Sequence, residues 1–363
     1  MPLQYQQLAK LSHPKGHSDG IAMVAFSPSG LLLASGGLDG RLCVWDVDSG
    51  KLRYVFSGKS AVLSMSWDLL GDEHIVCGME DGTIASMTMS GDSISVSGFW
   101  AHRSPVERLA YNGTYLASGA QEELAVWSRS GKESWKLVSE AGPPPKTSHN
   151  TADDVIVTSL HWIETRRRPV VLVATYMHHG IILIDQKTWQ RFRSISFAGS
   201  IADADLTGDA KLLGVSNMLN GFEVFAFKSL SELEPLYSFN QDVSSGCTIP
   251  IRFIHGGNAL VGGTSDGKMH VWDLHTLRKQ HLPFNGNVEV LAISGHYNQE
   301  RDAFLIATGV LNRGSPSPVV LWKAQEYVDR RQFSDVLERP AKRSMLSTAM
   351  LWLTAILVIY FIS

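Results

Sequence analysis

Short apolar runs of four to six residues, several of them alternating with polar ones, fill the chain up to about residue 324. Examples are "AMVAF", "LLLAS" and "LCVWD". They are separated by turn pairs such as "DG", "NG" and "SG", while apolar positions at helical spacing are scarce. Runs this short with turn residues between them predict many β-strands and an all-β protein. The pattern changes near the end. From Met345 to Ile362 the sequence "MLSTAMLWLTAILVIYFI" carries no charge, and only Ser347, Thr348 and Thr354 interrupt its apolar surface. As a helix it is ~27 Å long, close to the hydrocarbon thickness of a thin bilayer. A buried core helix would keep a polar stripe, so a C-terminal transmembrane helix over 344–363 is expected: a tail anchor, with everything before it in the cytosol.

The β-rich part has an internal repeat. Its clearest copy is "GHSDGIAMVAFSPSGLLLASGGLDGRLCVWDVDSGK", residues 16–51. Gly16-His17 opens it, Ser27–Gly30 and Asp39-Gly40 turn two hairpins, and Trp45-Asp46 ends a third strand. This unit resembles a WD40 repeat. The resemblance implies a four-stranded blade tied by a hydrogen-bond chain from Trp45 through Ser35 and His17 to Asp39, with every buried polar atom paired. Weaker copies follow. The second keeps Asp81-Gly82 but has Lys59 for the histidine and Met87 for the tryptophan. The third has His102, Ser118 and Trp127, with Gln121 where the aspartate would stand. The fourth has Ile184-Asp185 and the fifth Phe225 in the tryptophan slot. The sixth recovers Asp266, Trp272 and Asp273, and the seventh ends at Trp322. These anchors recur roughly every 40–50 residues, as propeller blades do. One longer interval contains the proline-rich insertion "SEAGPPPKTSHNTADD".

The expected fold is therefore an all-β, seven-bladed WD40 β-propeller over 1–325. A juxtamembrane linker over 326–343 and the membrane helix over 344–363 follow it. Unit seven stops after its third strand, so "QYQQLAKL" near the N-terminus must supply the fourth and close the ring, which leaves no free sheet edge.

In this family the turns between second and third strands lie on one face, called the upper face below. The third strand runs away from it, so the chain leaving after Trp322 departs from the lower face, which would face the bilayer. Leu38, Met79, Glu80, Glu122, His178, His179 and Ser265 are the expected upper-face contacts, suited to an apolar and basic surface on a cytosolic protein partner. Arg166, Arg167 and Arg168 fall in a lower-face turn. With Arg339, Lys342 and Arg343 beside the anchor, they are candidates for contact with an anionic leaflet.

Net charge is -3, which gives no bulk attraction to nucleic acid. Cys43, Cys77 and Cys247 each lie in apolar runs and read as reduced, packed thiols. No nucleophile elbow or phosphate-binding loop occurs, His161 reads as a core histidine, and adjacent His178 and His179 would point apart. No enzyme activity, metal, cofactor or small-molecule substrate is expected. The layout is similar to the endoplasmic-reticulum propeller exchange factor for the coat GTPase. That family, however, works through a glycine- and asparagine-rich first-blade loop, where this chain has the short turn "SGGLDGRL". The leading expectation is a tail-anchored interaction scaffold on an organelle membrane, the endoplasmic reticulum ahead of the mitochondrial outer membrane. The alternative is a regulator of nucleotide exchange on a small GTPase.

Overall fold

The structure is a computed structural model. It describes residues 3–131, 134–146, 154–164, 170–228, 230–240, 249–264, 267–284, 286, 288–313 and 316–326. Arg166, Arg167, Arg168, Cys247, Ser265, Asp266, the linker beyond Glu326 with Arg339, Lys342 and Arg343, and the apolar run 345–362 lie outside the described residues. Among the described residues no helix is long and apolar enough to cross a membrane.

Seven four-stranded antiparallel sheets make up the fold. Blade 1 is Ile21–Phe26, Leu32–Gly37, Arg41–Asp46 and Leu52–Ser57; blade 2 is Val62–Trp67, His74–Met79, Thr83–Ser90 and Ser93–Trp100. Blade 3 is Arg108–Tyr111, Tyr115–Ala120, Glu123–Arg129 and Trp135–Ala141; blade 4 is Val157–Ile163, Val171–Tyr176, Gly180–Asp185 and Arg191–Ile195. Blade 5 is Ile201–Leu206, Leu212–Asn217, Gly221–Lys228 and Glu232–Phe239; blade 6 is Ile251–Ile254, Ala259–Gly263, Lys268–Asp273 and Lys279–Pro283. Blade 7 is Val288–Asn298, Ala303–Asn312 and Val319–Glu326, completed by Leu3–Leu11 as its outer strand. The first strands touch in sequence around the ring, and that of blade 7 packs on that of blade 1. The architecture is a closed seven-bladed propeller.

The seven anchors occupy one register. Trp45, Met87, Trp127, Ile184, Phe225, Trp272 and Trp322 lie opposite Leu33, Ile75, Leu116, Leu172, Leu213, Leu260 and Ile306 of the second strands. Second and third strands are buried almost continuously, because neighbouring blades cover both their faces. Outer strands alternate, as one face meets water; Ser93–Trp100 is an example. A glycine recurs where the second strand backs onto the next blade. A Cβ on Gly36 would stand 2.6 Å from Val62, and one on Gly309 would stand 2.7 Å from the Ile21 carbonyl. Tryptophans of the first strands add stitches between blades: Trp67 Nε1 donates to the Ala25 carbonyl at 3.0 Å and Trp162 Nε1 to the Ala110 carbonyl at 2.9 Å.

Candidate interaction face

The turns between second and third strands share the upper face with the loops that lead from each outer strand to the next blade. In blade 1 this corner is pinned from within. Trp45 Nε1 donates to Ser35 Oγ at 2.9 Å, His17 Nε2 lies 2.8 Å from the same hydroxyl, and His17 Nδ1 lies 3.3 Å from Asp39 Oδ1. Asp39 also accepts from the Ser18 and Arg41 amides. Burial opposes its charge, yet these donors together with His17 hold the carboxyl down at about 2. Gly37 is required here, since a Cβ would lie 2.4 Å from His17 Nδ1. The turn Leu38–Gly40 is therefore rigid, and it presents Leu38 at 39% exposure.

Blade 3 repeats the constellation with a different acid. Trp127 Nε1 donates to Ser118 Oγ at 2.8 Å and His102 Nε2 lies 2.7 Å from it, but His102 Nδ1 meets Glu123 Oε2 at 2.8 Å. Gln121 and Glu122 form a two-residue turn with Gln121 at φ 51, shorter than the corresponding turn of blade 1. The carboxylate therefore comes from the first residue of the third strand. Blade 7 has a reduced version in which Trp322 Nε1 donates to Thr308 Oγ1 at 3.3 Å.

Blade 6, whose lettering recovers Asp266, Trp272 and Asp273, lacks the hydroxyl link of the chain. Gly262 stands at the serine position, and the Phe222 ring fills the space its side chain would need. Among the described residues no acceptor reaches the buried Trp272 Nε1. Its Asp266 lies outside the described residues. Asp273 takes a local role, accepting from the His275 and Thr276 amides in the next turn, as Asp46 does from Ser49.

Two expected contacts are corrected. Met79 is 5% exposed; it ends a second strand opposite Val62 and packs in the core between blades 1 and 2. His179 is 6% exposed, because neighbouring loops close over its turn through Met177 N to Ile156 O (2.9 Å) and Ile201 N to Met177 O (2.8 Å). Glu80 and Glu122 are exposed, and His178 is half-buried with Ser200 Oγ 3.1 Å from its Nδ1.

A groove of about 830 Å3 lies on this face between the outer parts of blades 2 and 3. Trp100, Leu124, Ala141 and Pro143 give it apolar lining; Glu122, Glu123 and Glu140 bring carboxylates, with Arg103 among them. Trp100 is 70% exposed although it closes a strand. Sequence reasoning spent its attention on third-strand tryptophans and passed over this one. The available signal was its place beside Ala101-His102, which fixes it at the upper rim. A large exposed aromatic among carboxylates is complementary in chemistry to apolar and cationic groups.

The remaining titratable groups are structural. Cys43 and Cys77 are free and buried, and burial pushes both thiols up to about 12. His161 Nε2 lies 3.1 Å from both Ser159 Oγ and the Ala204 carbonyl. Burial holds His102, His161, His255 and His296 below the ordinary value of 6.5; at His102 the nearby Glu123 only partly opposes it. The unfolded chain therefore binds these protons more readily, so stability is full above 6.5 and falls as pH drops below it. Thermal unfolding is expected at lower temperature at about pH 5.5 than at about pH 7.5, and an unchanged midpoint would contradict the neutral state of these rings. Asp39 adds a second loss as pH falls from its ordinary 3.8 toward 2.

Comparison with known proteins agrees with this geometry. Residues 7–46 match the family "WD domain, G-beta repeat". The chain is 40% identical over 52 residues to the small ribosomal subunit protein RACK1 of Caenorhabditis elegans, a match that takes in 14% of this chain and 16% of that protein's length. The crystal structure of the Cps50 (Swd1) β-propeller domain of Myceliophteria thermophila superposes with a TM-score of 0.66 at 18% identity, covering 88% of this chain and 99% of that domain. The chain carries a match to a WD40 repeat at residues 7–46 and folds as a closed seven-bladed β-propeller.

Proposed function

We propose that this propeller is a membrane-anchored platform that holds a cytosolic protein partner on its upper face, at the surface of an organelle membrane. The endoplasmic reticulum is favoured over the mitochondrial outer membrane. The observation that carries the reading is the groove beside Trp100, where an exposed indole stands among Glu122, Glu123 and Glu140. WD40 propellers generally bind proteins and are generally not enzymes, which fits a site with this lining. The partner is a protein segment with apolar and basic residues. The uncharged run 345–362 supplies attachment, and attachment raises the effective concentration of whatever the groove holds.

Proximity labelling in cells tests both halves. The whole chain should mark one set of neighbours at the membrane. A chain lacking 344–363 should lose the membrane neighbours. Trp100→Ala with Glu122→Lys should stay at the membrane, keep its unfolding midpoint and lose the groove partner. Truncating a central aromatic anchor costs about 2 kcal/mol or more, a loss of roughly 30-fold in affinity. Retention of every neighbour by that variant would remove the groove from the account. A regulator of nucleotide exchange shares the layout, and acceleration of GDP release from a small GTPase by the whole chain would replace the platform reading.

A further inference from the structure

The lower face is uneven in a way the upper face does not explain. Its turns between first and second strands carry large exposed apolar side chains in two consecutive blades. Leu31 of blade 1 is 46% exposed, and Leu69 and Leu70 of blade 2 are 57% and 92%; in blade 7 the turn 299–302 is polar, and Tyr297 in the first strand before it is 43% exposed. The corresponding turns elsewhere are built from polar or small residues: Asn112–Thr114 in blade 3, Thr207–Lys211 in blade 5 and His255–Asn258 in blade 6. The blade 4 turn lies largely outside the described residues.

The leucine turn is held rigidly. Asp68 N donates to the His74 carbonyl at 2.9 Å, Leu70 N donates to Asp68 Oδ1 at 3.2 Å, and Arg129 holds the other Asp68 oxygen at 2.7 Å. Asp72 reaches across to the blade 1 turn, accepting from Ser27 Oγ at 3.0 Å and Ser29 N at 3.2 Å. Polar groups of the two turns thus face each other, and the leucines face out.

The same arc is where the chain leaves the propeller. The third strand of blade 7 runs to the lower face, with Glu326 beside Leu3, and the uncharged run 345–362 follows within twenty residues. We propose that the propeller rests on the bilayer through the lower turns of blades 1 and 2, beside the point where the chain leaves blade 7, with Leu31, Leu69 and Leu70 entering the lipid interface. This rests on the membrane-anchored reading above and adds to it a tilt and a contact surface. Charge does not drive the contact. Asp48 pairs with Arg301, Asp302 accepts from the Tyr297 hydroxyl, and Glu73 is exposed, so the arc has no excess of cations. Apolar burial drives it, and neutral lipid suffices.

The test uses the whole chain carrying Cys247→Ser and Leu70→Cys, labelled with an environment-sensitive fluorophore and reconstituted into phosphatidylcholine vesicles. Lys211→Cys and Leu219→Cys, on the lower face of blade 5 and on the upper face, serve as reference positions. Position 70 should brighten several-fold, shift to the blue and be quenched by spin-labelled lipid. Positions 211 and 219 should do none of these, and added salt or phosphatidylserine should change little. A chain that floats with the vesicles while position 70 stays in water overturns the contact and leaves the anchor standing. A chain that does not float overturns both. Quenching that grows with protein concentration in detergent, without vesicles, would assign the leucines to a second copy instead. As a further check, Leu69→Asp with Leu70→Asp should keep the unfolding midpoint, since both side chains are exposed, yet abolish lipid quenching of a label at Leu31→Cys.

Discussion

Removal of residues 1–11 is expected to destroy the cooperative unfolding of the propeller. Leu3–Leu11 is the outer strand of blade 7, paired along Val319–Glu326, and it buries Tyr5 and Leu11 to 4% and 3% exposure. Those two side chains alone account for about 3–6 kcal/mol of burial, against a typical total stability of about 5–15 kcal/mol. The deletion also strips the backbone ladder from the third strand of blade 7 and creates an open edge able to pair with another chain. Size-exclusion chromatography should show association, and denaturant unfolding should broaden. A synthetic peptide of residues 3–11 should restore part of the transition. A monomeric deletion variant with an unchanged midpoint would show that the ring does not depend on this strand.

Trp45→Ala is expected to have the largest effect among single substitutions, about 3–5 kcal/mol, because it removes a side chain 1% exposed from a packed core. It also takes away one of the three partners of Ser35, leaving His17 and the Cys43 carbonyl. A milder pair isolates the polar part. Trp45→Phe leaves Ser35 and His17 with a broken chain and should cost about 1–3 kcal/mol beyond the lost volume. Trp272→Phe removes an indole N–H that no described acceptor reaches, so it should cost only the volume. Urea midpoints of the two variants, compared at equal m-values, decide the matter; equal losses would mean that the hydrogen-bond chain contributes nothing measurable.

The contrast between these tryptophans marks what was legible in the sequence. The all-β class, the repeat and the anchors could be read because each anchor faces the same second-strand position, which forces a large apolar residue in almost every blade. Phe225 and Ile184 satisfy that packing as Trp45 does. The polar chain behind the anchor was legible only where turn length was conserved. In blade 3 a shorter turn moves the acid to Glu123. In blade 6 Asp266, Trp272 and Asp273 match, yet Gly262 stands at the serine position and Phe222 from the preceding blade fills the space of the hydroxyl. Gly262 can be read within its own repeat, but the entry of Phe222 from the preceding blade is invisible to a reading made one repeat at a time. The same limit explains Met79, which ends a second strand and packs in the core between blades 1 and 2, and His179, whose turn neighbouring loops cover. Trp100 was hidden for the opposite reason, since outer strands are expected to be dull and this one ends in an unprotected indole.

Pairing Leu3–Leu11 with Val319–Glu326 has a consequence for how the molecule is made. The ribosome releases the partner of the first strand some three hundred residues after the strand itself, so the opening segment must wait, unpaired and partly apolar, for most of translation. Long-range closure of this kind slows folding and invites capture by other nascent chains. A chaperone that shelters Tyr5 and Leu11 during elongation would therefore influence yield more than one acting on any finished blade.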